Sequence, residues 1–114
     1  MAPERDLSRL EDIRGAIVYA QQFVSGVTFE MFEADMMRVL AVIRCLEVIS
    51  EASRRLDPAV KARHPELPWS QIAGAGNVYR HDYRMVRNDI VWETVHSALP
   101  PLLAAVEAEL ARRP

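Results

Sequence analysis

The sequence predicts an all-α fold, an up-and-down four-helix-type bundle with one short extra helix, and three observations lead to it. Apolar residues recur at three- and four-residue steps in three long segments. No stretch sustains the apolar/polar alternation of a half-buried strand, and no Asn-Gly or Asp-Gly pair offers a hairpin turn. Half of the 114 residues are hydrophobic and 26% are charged, the balance of a chain that folds around one core. That length suits a single domain, residues 1–114.

The first helix is expected from about Asp6 to Val24. Leu7, Leu10, Ile13, Ile17, Ala20 and Val24 make one apolar face. Ser25-Gly26 ends it, because glycine adopts the left-handed cap geometry that other residues resist. The second is expected from about Phe29 to Leu56, with Thr28 as its N-cap. Met36, Val39, Leu40, Ile43, Leu46, Ile49, Ser53 and Leu56 form its stripe, widened by Val42 and Val48. Asp57-Pro58 stops it, since a residue before proline avoids the α region. A connector with Pro58, Pro65 and Pro68 follows. A helical turn is expected over Trp69 to Ala73. Gly74 and Gly76 are then expected to break the chain before a short helix from about Asn77 to Val86. The last helix runs from about Asp89 to Arg112, capped by Asn88, with Asp89 and Glu93 near the positive end of its dipole. Pro100-Pro101 falls inside its apolar stripe and predicts a kink or break.

Composition excludes several classes. A formal charge of -2 gives no global sign of a nucleic-acid binder, so any basic surface must be local. The single cysteine, Cys45, rules out an intramolecular disulfide and a thiolate metal cluster, and its apolar setting reads as a small buried hydrophobe. No apolar run reaches the ~18 residues that span a bilayer. The polar segment from Met1 to Glu11 is not a signal peptide, and a cytoplasmic location is expected.

Chemically capable side chains are densest from Asn77 to Asp89. On a helix, Asn77 and His81 share a face, while Arg80, Arg84 and Arg87 line a neighbouring strip with Tyr83 beside it. This set suits a phosphodiester. Histidine exchanges protons near neutral pH, and arginine grips phosphate oxygens through its fork. RNA carries its own nucleophile, the 2′-hydroxyl, so cleavage needs only a base, a cation and hydrogen-bond donors. A solvated arginine face with a structural histidine fits the same residues. Glu47 and Glu51 stand four apart but lack a Glu-x-x-His partner, so no metal site is expected. Trp69 and Trp92 read as packing anchors, and Met31, Met36 and Met37 as core or dimer surface.

Four blocks in order resemble the HepT-like branch of the HEPN superfamily: Leu46-Glu47-Val48-Ile49-Ser50-Glu51-Ala52, Pro68-Trp69-Ser70-Gln71-Ile72-Ala73-Gly74, Asn77-Val78-Tyr79-Arg80-His81-Asp82-Tyr83 and Asp89-Ile90-Val91-Trp92-Glu93-Thr94-Val95. The resemblance covers the chain from about Leu7 to Glu107. It implies a homodimeric helical bundle, the toxin half of a toxin–antitoxin pair, acting as a metal-independent ribonuclease with no cofactor. It also implies a minimal nucleotidyltransferase antitoxin that transfers AMP to the tyrosine of the His-x-Tyr motif, here Tyr83. Asn77, His81 and Tyr83 match the motif Arg-Asn-x-x-x-His-x-Tyr; its arginine falls on Gly76. His81, Asn77 and Arg80 are therefore the expected catalytic set, and Arg80, Arg84 and Arg87 the expected RNA-phosphate contacts. The alternative is a HEPN domain without cleavage, binding a nucleotidyltransferase or RNA.

Overall fold

Helix α1 (Glu4–Val24) opens a computed structural model that describes the backbone of residues 4–81 and 87–112, and the side chains of residues 6–76 and 87–112. It buries Leu10, Ile13, Ile17, Ala20 and Val24, the face its periodicity predicted. It stops where Gly26 takes a φ of 72°.

The expected helix from Phe29 to Leu56 is two helices. Helix α2 (Phe29–Glu33) is capped by Thr28, whose hydroxyl accepts the Met31 N–H at 3.2 Å. Helix α3 (Met36–Arg54) starts afresh because Asp35, in extended backbone, turns its carboxylate onto the Arg38 N–H at 3.2 Å. A short acid that caps a new helix outcompetes continuation of the old one. The break seats Phe32 in the core. Helices α1 and α3 pack antiparallel: Arg9 bonds the Arg55 carbonyl and Arg38 the Phe23 carbonyl. Met36 and Leu40, expected in the buried stripe, are exposed with Met37, because they lie on the edge of α3 that also carries Arg44. Cys45 is buried, and burial pushes its thiol pKa up, against the opposing pull of its own backbone and Arg44.

Helix α3 ends at Arg54, short of the expected Leu56, and Asp57 caps helix α4 (Pro58–Ala62), its carboxylate accepting the Ala59 N–H at 2.8 Å. Pro68 then precedes helix α5 (Trp69–His81), which is continuous. The expected break at Gly74 and Gly76 does not occur, because tertiary contact with α3 outweighs weak helix propensity. Helix α6 (Asn88–Glu93) begins after Arg87, which makes no side-chain capping bond, so Asn88 is its first residue and not its cap. Residues Thr94–Ala98 form a π-helical turn, with the Leu99 N–H reaching the Thr94 carbonyl. Helix α7 (Leu99–Ala111) restarts with Pro100 and Pro101 in its first turn, where their missing N–H groups cost least. The kink expected there is thus absorbed as a wider turn. The chain is all-helical, with α3 packed between α1 and α5 and α7 completing the other side of α1. Among the described residues, no helix is long and apolar enough to cross a membrane.

Two acids, Asp6 and Glu109, are buried among the described residues. Glu109, on the inner face of α7, accepts bonds from both Nε and Nη2 of Arg63 and lies 2.7 Å from His64 Nε2. The Arg63 bonds hold its carboxyl below the usual range, against the opposing effect of burial, with His64 adding to the depression. A depressed pKa contributes stability that is present above the ordinary glutamate value of 4.5 and lost as pH falls through the folded value. The melting temperature is therefore expected to fall on acidification below that value, and Glu109→Gln to flatten the fall. Thermal melts across pH measure it; equal acid slopes in both proteins would remove Glu109 as the source.

Candidate functional site

Helix α5 carries the motif positions Asn77 and His81, and its start is fixed from several directions. The Trp69 indole N–H donates to the His64 carbonyl at 2.9 Å, tying the helix to the connector that Glu109 anchors. The Pro68 carbonyl accepts the Ile72 N–H at 3.0 Å, closing the first turn. Ile72 and Ala75 are half-buried and pack against the core.

Ser50 joins α5 to α3. Its hydroxyl donates to the Ala73 carbonyl at 2.8 Å and accepts the Gly76 N–H at 2.9 Å. Both partners lie in the turn immediately before Asn77. Ser50 was legible only as part of a motif block. The signal that marks it is a hydroxyl on the inner stripe of α3, where an apolar residue is the norm.

Asn77, Arg80 and His81 lie on α5 by their backbone, with their side chains outside the described residues. At 3.6 residues per turn, Asn77 and His81 occupy one face and Arg80 stands one turn beyond Gly76. Tyr83 and Arg84 lie outside the described residues. Arg87 is exposed, and its guanidinium holds Asp89 through two bonds of 3.1 and 2.6 Å. That hydrogen bonding lowers the Asp89 pKa and raises that of Arg87. Glu47 and Glu51 are half-exposed, and Glu51 pairs with Arg54 and Arg55. Trp92 packs against Phe29, Phe32 and His96, the anchor role its sequence suggested.

Gly76, where the family motif has arginine, is buried. A Cβ there would stand 2.7 Å from Ser50 Oγ and 2.9 Å from Ser50 Cβ. The position is filled from the α3 side.

Comparison with known proteins places these residues within one family match. A family model described as Ribonuclease HepT-like matches residues 13–109. The chain is 38% identical over 98 residues to a protein of Thermococcus cleftensis named "Probable ribonuclease HepT", covering 86% of this chain and 89% of the relative. It is 34% identical over 93 residues to a "Putative RNase" of Caldanaerobacter subterraneus, covering 82% and 83%. A "Putative RNase" of Methanocaldococcus jannaschii is 32% identical over 101 residues, covering 88% and 87%. No solved structure matches.

Proposed function

The chain belongs to the HepT-like ribonuclease family, and from that premise we propose that it cleaves RNA without a metal ion. The single observation that carries this reading is the family match, which spans Asn77, His81 and Tyr83. In the proposed step the His81 imidazole takes the proton of a 2′-hydroxyl. The 2′-oxygen attacks the adjacent phosphorus, the 5′-oxygen leaves and takes up a proton, and a 2′,3′-cyclic phosphate remains. Asn77, one turn before His81, orients the imidazole or a phosphate oxygen. Arg80 and Arg84 supply the positive charge, with Arg87 available only in exchange for Asp89. The protein is the toxin of a toxin–antitoxin pair, and its partner is a nucleotidyltransferase that adds AMP to Tyr83. The added phosphate places negative charge where RNA phosphate binds. Two copies pair; the exposed Met36, Met37 and Leu40 on α3 support that pairing.

The test is incubation of purified protein with RNA in excess chelator. The expected products end in 2′,3′-cyclic phosphate and 5′-hydroxyl, and RNA with 2′-deoxy substitution at the cut site resists. Intact RNA under these conditions would sink the reading.

The Arg87–Asp89 pair supplies a second expected result. Asp89→Asn releases the guanidinium, so RNA binding tightens and its salt slope steepens by roughly 0.7 for one added phosphate contact. Fluorescence anisotropy at several salt concentrations checks it; an unchanged slope means Arg87 does not meet RNA.

A second reading draws on Gly76. With the motif arginine absent and its place blocked by Ser50, a non-cleaving subunit that binds RNA or a nucleotidyltransferase retains every other feature. RNA binding without cleavage, unchanged by His81→Ala, distinguishes it.

A further inference from the structure

We propose that Ser50 is a positioning residue for the motif helix, and that residue 76 is glycine because Ser50 occupies the space a side chain there would need. Glycine at 76 is not explained by backbone conformation, since among the described residues only Gly26 has positive φ. Nor is it explained by indifference. A Cβ added at Gly74, on the same helix, meets nothing within 4 Å, whereas one at Gly76 meets Ser50 Oγ at 2.7 Å and Cβ at 2.9 Å. Real Cβ atoms do not approach so closely. A glycine inside a helix is costly relative to alanine, so the close approach is what it provides.

Ser50 is 1% exposed, and its hydroxyl is used as both donor and acceptor on α5. Apolar packing beneath α5 leaves a cavity of about 60 Å³ lined by Leu46, Ile49, Ile72, Ala75, Leu99 and Leu102. The directional bonds from Ser50 therefore fix how deep α5 sits and how it is rotated, one turn before Asn77. Positions 50 and 76 form an exclusive pair, in which a side chain at one requires glycine at the other. The motif arginine can return to 76 only if Ser50 becomes glycine. The catalytic consequence of placing His81 rests on the ribonuclease reading; the pairing of 50 with 76 and the placement of α5 do not.

The test is a mutant cycle read by melting temperature and by the His81 imidazole NMR signals. Gly76→Ala is expected to lower the melting temperature although alanine is the better helix former. In the Ser50→Gly background the same change is expected to be neutral or stabilising. Ser50→Ala is not expected to rescue it, because the Cβ at 2.9 Å remains. Should Gly76→Ala fail to fold, recovery of folding by Ser50→Gly and not by Ser50→Ala supports the pair equally. Ser50→Ala alone is expected to shift the His81 signals while leaving those of His96, on the π-helical turn, in place. Additive effects on melting, or a stabilising Gly76→Ala in the presence of Ser50, overturn the exclusive pair. Unmoved His81 signals overturn the positioning role. Failure of wild-type protein to cut RNA overturns the ribonuclease reading and leaves both readouts in force.

Discussion

Replacement of His81 by alanine is expected to slow RNA cleavage by roughly 10²–10⁴-fold, the usual contribution of a positioned acid or base. On the proposed reading arginines rather than the imidazole carry phosphate binding, so affinity for RNA is expected to change little. The loss should therefore appear in the rate of the bound complex and not in binding. Single-turnover rates on an end-labelled RNA measure the first quantity, and anisotropy in chelator measures the second. A weaker RNA complex with an unchanged bound-state rate would make His81 a binding residue. Wild-type cleavage by His81→Ala would leave it no role. Asn77→Ala is expected to have the smaller effect, since orienting a base contributes less than being one. If the proposed nucleotidyltransferase partner modifies Tyr83, Tyr83→Phe is expected to cleave RNA while escaping that modification, which separates the chemistry of the motif from its control.

Phe32→Ala is expected to destabilise the fold by about 3–5 kcal/mol, the range for removing a fully buried aromatic ring. Phe32 is 0% exposed on a helix of only five residues, and its ring centroid lies 5.3 Å from that of Trp92. Trp92 also meets Phe29 at 5.9 Å and His96 at 4.3 Å, so one ring holds α2 against α6 and the π-helical turn. So short a helix has little stability of its own and depends on this contact. The site left behind cannot collapse readily, because large rings surround it. A fall in melting temperature on the order of 10–20 °C corresponds to that loss in a domain of this size. Phe32→Leu keeps most of the volume and is expected to cost about 1 kcal/mol. Glu33→Ala, at an exposed side chain of the same helix, is expected to stay within about 0.5 kcal/mol of wild type. Equal effects at 32 and 33 would mean that α2 is not part of the cooperative core.

The helical class, the first helix and its end were legible because each rests on local physics. The spacing from Leu10 to Val24 makes one buried face, and Gly26 stops the helix with positive φ. The family was legible because its blocks are contiguous in sequence. Elsewhere, the reading failed where two local tendencies competed. The segment from Phe29 to Leu56 looked like one helix, but the Asp35 carboxylate caps a second one. The two glycines before the motif looked like a break, yet α5 runs through both. The acid at 109 sat on an apolar stripe, and only the approach of Arg63 and His64, some 45 residues earlier, gives it a partner.

Within the candidate site, the sequence alone named where the chemistry is expected. It placed Asn77 and His81 one turn apart and put glycine where the related motif has arginine. Only the tertiary structure decided what that glycine is for. In sequence it is a missing cation; in the fold it is the surface on which Ser50 seats the helix, 26 residues away along the chain. Propensity and periodicity act between neighbours in sequence. Whether position 76 has room for a side chain depends on an atom of another helix, which no local pattern specifies.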